Sequence, residues 1–277
     1  MNKRVLRFPD GLKKAVTLSY DDCIEADNKL IGMMEKYQMK GTFNLIPGWF
    51  AKEGTVYPEE ETYRLVTESM AKEMYDNPLV EVANHGDQHK YMTSLSTAEM
   101  ADDMITCRKK LEKMYGRNVR GMAYPYGWYS PELMNVLDMC GVAYSRTVNS
   151  THRFELPENW LTWHPTCHHD DEKLMELTNQ FLSLQVEDQP KLLYVWGHTF
   201  EFERNKNWNR MEEFMQKISG NEDIWYATNI EIYEYVKAYE RLEISADGTR
   251  IVNPSRIPVW TEIDGTIYKV EEELILS

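Results

Sequence analysis

Short β-rich runs alternate with helix-length amphipathic segments along most of this chain, and that rhythm excludes most architectures before any single residue is weighed. Ala15 to Ser19, Gly41 to Ile46, Leu79 to Ala83, Gly121 to Tyr124, Val142 to Ser145, Lys191 to Trp196 and Ile224 to Ala227 have the length and composition of strands. Helices are expected over Asp27 to Tyr37, across Glu59 to Tyr75 (Tyr63, Val66, Met70 and Met74 on one face), from Ser96 to near Gly116, from Ser130-Pro131 to Gly141, over Trp208 to Ser219, and from Thr228 to about Leu242. The pairs Ser96/Glu99 and Thr228/Glu231 have the spacing of capping boxes, and Gly141 suits the left-handed residue that ends a helix. Methionines at helical spacing are core filler.

Strands separated by helices of this length must pair in parallel, so the fold class is α/β, with the sheet curved into a barrel rather than stacked as a sandwich. After Leu242 the rhythm changes. Asp247-Gly248 and Asp264-Gly265 are hairpin turn signals between short β-rich segments. The expected organisation is a (β/α) barrel over residues 1–242 and an antiparallel β appendage over 243–277 packed on it. These hairpins are open to two uses, covering a barrel end or forming a dimer contact.

Charge narrows the partners. The 45 acidic against 31 basic residues give a net charge of −14, and basic residues nowhere cluster among aromatics, so nucleic acid is not an expected partner. No apolar run approaches a membrane span and the opening MNKRVLRFPDG lacks the apolar stretch of a signal peptide, so a cytoplasmic protein without membrane contact is expected. Cys23, Cys107, Cys140 and Cys167 are far apart and form no C-x-x-C pair, which fits reduced thiols better than disulfides or a thiolate zinc site.

Active sites of parallel barrels lie at the carboxyl ends of the strands, and four such ends are unusual. The first runs into Tyr20-Asp21-Asp22-Cys23, where adjacent carboxylates repel unless a metal, a hydrogen bond or solvent offsets them. Read alone, the pair is more often an exposed turn or N-cap. The third is followed by Asn84-His85-Gly86-Asp87-Gln88-His89; imidazoles four residues apart can converge on one ion, although surface histidines show the same spacing equally often. The fourth ends in Ala123-Tyr124-Pro125-Tyr126-Gly127-Trp128, either a rigid loop offering N–H groups and ring faces or a turn packed by aromatics. A later one ends in Trp196-Gly197-His198-Thr199, where His198 is a proton donor or a hydrogen-bonded rim residue. A further group, Trp163-His164-Pro165-Thr166-Cys167-His168-His169-Asp170, suits a substrate wall, a second metal site or, most simply, a polar loop capping the next helix.

Together these stations resemble the polysaccharide deacetylase family, carbohydrate esterases that share the NodB homology domain. Its TFDDG pattern is similar to LSYDDC at Leu18 to Cys23, its H-[ST]-x-x-H to HGDQH at His85 to His89, its R-x-P-Y to AYPY at Ala123 to Tyr126, and its L-x-H to WGH at Trp196 to His198. The resemblance runs over about residues 13–240 and leaves out the C-terminal appendage. It implies a distorted (β/α) barrel of the NodB type and one divalent metal, commonly zinc, on Asp22, His85 and His89. It further implies Asp21 as general base, His198 as general acid and the backbone N–H of Tyr126 as oxyanion donor. Tyr124, Pro125, Trp128, Trp163, His164, Trp196 and Glu201 are the expected substrate contacts, with Trp49 near the mouth. Cys23 stands at the motif glycine and Ala123 at the motif arginine, and no acidic motif is recognisable near Trp160 to Asp171, so the pKa of Asp21 must be set by some other group.

The implied activity is metal-dependent removal of acetyl groups from an N- or O-acetylated sugar, with a small glycan or glycoconjugate as partner. Two other readings share the pocket. One is hydrolysis of a cyclic amide on the same fold, compatible with the missing arginine; the other is a sugar-binding module without catalysis.

Overall fold

The computed structural model describes residues 3–276. Its centre is an eight-stranded parallel sheet. β1 (Arg4–Arg7) stands outside it; β2 (Lys14–Asp21), β3 (Gly41–Leu45), β4 (Val80–Asn84), β5 (Gly121–Ala123), β6 (Tyr144–Arg146), β7 (Cys167–His168), β8 (Lys191–Gly197) and β9 (Ile224–Tyr226) build it in the order β6-β5-β4-β3-β2-β8-β7, with β9 paired to β2. A bridge between Arg146 and Trp163 ties the β6 edge to the segment leading into β7, so the sheet curls toward closure as a distorted barrel. The expected strands are therefore present, each shifted by at most a few residues.

Helices α1 (Asp27–Tyr37), α2 (Glu68–Met74), α3 (Thr97–Tyr115), α4 (Pro131–Met139), α5 (Leu174–Ser183), α6 (Thr199–Asn205), α7 (Trp208–Ile218) and α8 (Asn229–Glu240) surround the sheet. Both capping boxes form, at Ser96 with Glu99 and at Thr228 with Glu231, and Ser130 caps α4. The expected helix over Glu59 to Tyr75 is a correction: only Glu68–Met74 is helical. In the preceding loop the Arg64 guanidinium donates to the carbonyls of Pro58, Glu59 and Glu61, satisfying acceptors that a helix would have paired internally.

After α8 come β10 (Glu243–Ile244), β11 (Arg250–Val252), β12 (Val259–Ile263), β13 (Thr266–Val270) and β14 (Glu273–Ile275), forming two three-stranded sheets, β10-β11-β14 and β1-β12-β13. The turn at Asp264-Gly265 joins β12 to β13 in the expected hairpin. The N-terminal strand β1, which the sequence pattern did not reveal, completes this second sheet by antiparallel pairing with β12. Arg7 is its anchor, buried and paired with Glu262 at 2.8 Å. Among the described residues no helix is long and apolar enough to cross a membrane, and the cysteines are unpaired.

Candidate active site

The chain leaves β2 through two consecutive left-handed residues, Asp22 (φ 82) and Cys23 (φ 53). Non-glycine residues hold this conformation at a cost of about 1–3 kcal/mol each, and such strain concentrates at functional sites. Here it sends two successive carboxylates into one cleft. It also explains the glycine of the family motif: position 23 demands positive φ, and the buried cysteine accepts the strain.

Behind this turn Asp27 is fully buried and joins three elements, accepting from the Tyr75 hydroxyl, the Thr199 hydroxyl and the Ile24 N–H. Burial pushes its carboxyl up to about 7 against the pull of those donors. Because Thr199 follows His198, this contact fixes where α6, and hence His198, begins.

β4 ends at Asn84, whose side-chain oxygen accepts from the Gly86 N–H at 2.7 Å and so sets the His85 to His89 loop. The His85 Nδ1 lies 2.8 Å from the Ala123 carbonyl, so Nδ1 carries the proton and Nε2 presents its lone pair to the cleft. There it meets the His89 Nε2 at 3.2 Å, and the two nitrogens lie 3.6 and 3.8 Å from the Asp22 Oδ1. That oxygen is buried without a hydrogen-bond partner. Burial first, then the neighbouring His85, pull the His89 imidazole down to about 3, leaving it neutral. Two imidazole lone pairs and a carboxylate oxygen at these separations fit a divalent cation with open positions.

Asp21, still within β2, lies opposite Asn44 in the register, and the Asn44 amide donates to its Oδ1 at 2.8 Å. Its Oδ2 is paired with Arg146, a residue the sequence reading did not single out. Ala123 and Arg146 are register partners on β5 and β6. The arginine absent at 123 is thus supplied from the neighbouring strand, held over the Trp196 ring at 4.3 Å. Burial would raise the Asp21 carboxyl, but Arg146, then His85 and His198, bring it down to about 2, so it is ionised at working pH.

His198 closes the cleft, its Nε2 3.8 Å from Asp21 and 4.0 Å from Asp22. Burial lowers its pKa, yet Glu201, with Asp22 and Asp21, raises it to about 9, so the ring is protonated at neutral pH. Glu201 lies 3.3 Å from the His198 Nδ1 and is placed by its position in the first turn of α6. Burial raises the Asp22 carboxyl against the pull of His198 and His85.

The other expected contacts divide. The Tyr126 ring lies 4.4 Å from His89 and stacks on Tyr91, and the Trp49 ring is 5.0 Å from His89. Tyr126 is itself left-handed (φ 59), which turns the loop over the histidines. Trp128 is 62% exposed and free to meet a ligand. Tyr124 and Pro125 are buried, the tyrosine hydroxyl donating to the Leu161 carbonyl at 2.8 Å, so they support the loop from beneath. Trp196 backs Arg146. Trp163 is not at the mouth: its ring is buried among Tyr144, Trp160 and Tyr194, because its strand bridge to Arg146 turns it toward the core. His164 is bonded to the Thr147 hydroxyl at 2.5 Å.

The sequence matches the model of the polysaccharide deacetylase family over residues 9–145. No curated protein matches it. The fold is similar to that of a Mycobacterium smegmatis protein assigned as a polysaccharide deacetylase, at 18% identity and TM-score 0.56, covering 85% of this chain and 94% of that one. It is similar also to the Xyl-CE4 domain of a multidomain xylanase from the hindgut metagenome of Trinervitermes trinervoides (15% identity, TM-score 0.54, 82% and 92% covered). The Puue allantoinase shares the architecture at 11% identity and TM-score 0.63, with 82% and 91% covered.

Proposed function

We propose, from the match of residues 9–145 to the polysaccharide deacetylase family model, that this protein is a metal-dependent hydrolase that removes acetyl groups from a small acetylated carbohydrate. One observation carries the reading. The Asp22 Oδ1 and the Nε2 atoms of His85 and His89 converge, while Asp21 beside them, its Oδ2 3.8 Å from the His85 Nε2, is held by Arg146 and Asn44. Asp22, His85 and His89 would hold the cation, which when bound supplies Lewis acidity toward water and the acyl oxygen.

The chain's own groups carry the protons. Asp21, ionised and fixed in direction, takes the proton of the attacking water on its Oδ2 side. His198, protonated and facing the same carboxylates, delivers its Nε2 proton to the departing amine or alcohol. The Tyr126 N–H, on its left-handed loop beside His89, donates to the oxyanion. Trp128 and the stacked Tyr91 and Tyr126 rings offer apolar faces that suit a sugar. A missing motif arginine is compatible with a cyclic amide as well, but Arg146 supplies a guanidinium to Asp21 in its place.

The test is a panel of N- and O-acetylated sugars assayed for acetate, with a cyclic amide as control, alongside elemental analysis of protein purified without chelator. Acetate release is expected, and His85→Ala should lose about one equivalent of metal together with turnover. Ring opening without acetate release, or undiminished metal in His85→Ala, refutes the proposal.

A further inference from the structure

A place in the first turn of α6 fixes the backbone of Glu201 but not its carboxylate, which ends a long, flexible side chain. Two neighbours compete for that carboxylate. Arg204, 57% exposed, faces the Oε1 at 3.7 Å and draws it toward solvent. His168, at the end of β7, faces the Oε2 at 3.1 Å. We propose that His168 is a positioning residue for the proton transfer: its Nε2–H holds the Glu201 carboxylate against the His198 ring, so that His168, Glu201 and His198 form one chain ending at the reacting centre. The inference rests on the acid role proposed for His198 and deepens it by a residue that the sequence pattern leaves in a polar loop.

The proton of His168 is on the nitrogen this role requires. The Asp170 backbone N–H donates to the His168 Nδ1 at 3.1 Å, which leaves the ring proton on Nε2, the nitrogen that faces Glu201. Such a ring offers the carboxylate a donor and offers a cation no lone pair there. Beyond the carboxylate, the His198 Nδ1 donates to the same oxygen at 3.3 Å and the His198 backbone N–H at 3.2 Å. Both distances are long against the roughly 2.7–2.9 Å of charge-assisted hydrogen bonds, so His198 by itself holds Glu201 weakly. Burial would raise the Glu201 carboxyl, but His168 and then His198 hold it well below the usual carboxylate range. With Nδ1 committed to Glu201, the Nε2 proton of His198 is aimed into the cleft, where Asp21 lies 3.8 Å away.

His168 is the fixed end of this chain. Its strand runs parallel to β8 with His168 opposite Trp196, whose ring meets the imidazole edge-on at 4.7 Å. The residues that follow are tied to the far end of α6 and to α7: the Asn205 and Asn207 amides each donate to the Asp170 carboxylate at 2.8 Å, and Arg210 donates to the His169 carbonyl at 3.0 Å. His169 is fully buried against Phe202 at 4.0 Å, with its Nε2 3.3 Å from the Glu201 Oε2. Neither of its ring nitrogens makes a hydrogen bond, so it walls the carboxylate in without directing it. A side chain locked in this way from its own strand is what holds a mobile neighbour in productive geometry.

The experiment uses full-length, metal-loaded protein and an acetylated sugar that it hydrolyses, and follows the His198 Nδ1–H in parallel by nitrogen-resolved proton NMR, assigned with His198→Asn. In His168→Ala kcat should fall at least about tenfold with KM within about twofold of wild type, the pattern of an interaction that serves only the transition state. Metal content should be unchanged, and the Nδ1–H signal, slow to exchange in wild type, should be lost. His168→Gln places an amide N–H within reach of the same carboxylate and should restore most of kcat and the signal. His168 is partly exposed, and circular dichroism verifies the fold of both variants. Wild-type kcat and signal in His168→Ala overturn the proposal. So does a His168→Gln as slow as His168→Ala, because bulk and not a donor is then what matters. A wild type that releases no acetate from any sugar refutes the hydrolase reading by itself; the NMR arm then decides, loss of the signal in His168→Ala supporting the anchor and its persistence overturning it.

Discussion

The pair between Arg146 and Asp21 makes the sharpest demand on stability. Both side chains are at most 3% exposed, and the pair links β2 to β6 across the barrel mouth. Lowering Asp21 from 3.8 to about 2 corresponds to about 2 kcal/mol of stabilisation at pH 7. Since the folded pKa is the depressed one, that contribution is present above about pH 4 and is lost as the pH falls toward 2. In Arg146→Met the burial that opposes ionisation is no longer offset, and breaking a buried pair in this way costs about 3–5 kcal/mol. Asp21→Asn, which strands the guanidinium instead, should cost a similar amount, whereas Asp21→Asn/Arg146→Met should recover much of the loss because neither charge is then buried alone. The assay is urea unfolding of chelator-treated protein followed by circular dichroism, with all four proteins at pH 7. The two single changes should overshoot the double by at least about 1.5 kcal/mol, and the Arg146→Met deficit should shrink at lower pH as Asp21 takes up a proton. Additivity within about 0.5 kcal/mol, the behaviour of independent sites, would refute the pairing as an energetic unit.

Three kinetic outcomes follow from the roles assigned. Asp21→Asn should lower kcat for acetate release at least about a hundredfold while metal content, read by elemental analysis, is unchanged; an unaltered kcat dismisses Asp21 as base. His198 must be protonated to act as acid, and burial, overcome by Glu201 and the two aspartates, leaves its pKa at about 9, so kcat/KM should hold to about pH 9 and fall beyond it. Glu201→Gln should move that limb toward lower pH, and a limb that stays in place means Glu201 does not set it. Trp128→Ala, on an exposed ring, should raise KM several-fold with kcat nearly constant, as loss of uniform binding requires.

What could be seen in the sequence was whatever lies close together along the chain. Asp21 and Asp22 are neighbours, His85 and His89 share one loop, and each follows an apolar run whose period already announces a strand, so barrel and candidate ligand set were legible together. Capping boxes were legible for the same reason, being contacts over three residues. The Glu59 to Tyr75 stretch shows the opposite case. Its helical spacing is real, but the backbone of Arg64 to Val66 pairs with Cys23 to Glu25 and the Arg64 side chain satisfies the loop carbonyls, so tertiary contacts outweigh a local pattern.

Partners chosen by sheet register were not visible. Strand β1 finds β12 some 255 residues away, and nothing in Arg4–Arg7 specifies that pairing. Arg146 reads locally as one more polar residue after a short strand; only the parallel alignment of Ala123 with Arg146 shows why the motif arginine could be lost. A signal was nonetheless present. An arginine at the carboxyl end of a barrel strand sits where catalytic side chains sit, and applying that rule to every strand, rather than to motif positions alone, would have selected it. The chemistry of this cleft needs a guanidinium against Asp21, but not one from a particular strand. A family motif therefore records one solution to a charge problem, and an absent motif residue should prompt a search of the adjacent strand ends before activity is doubted.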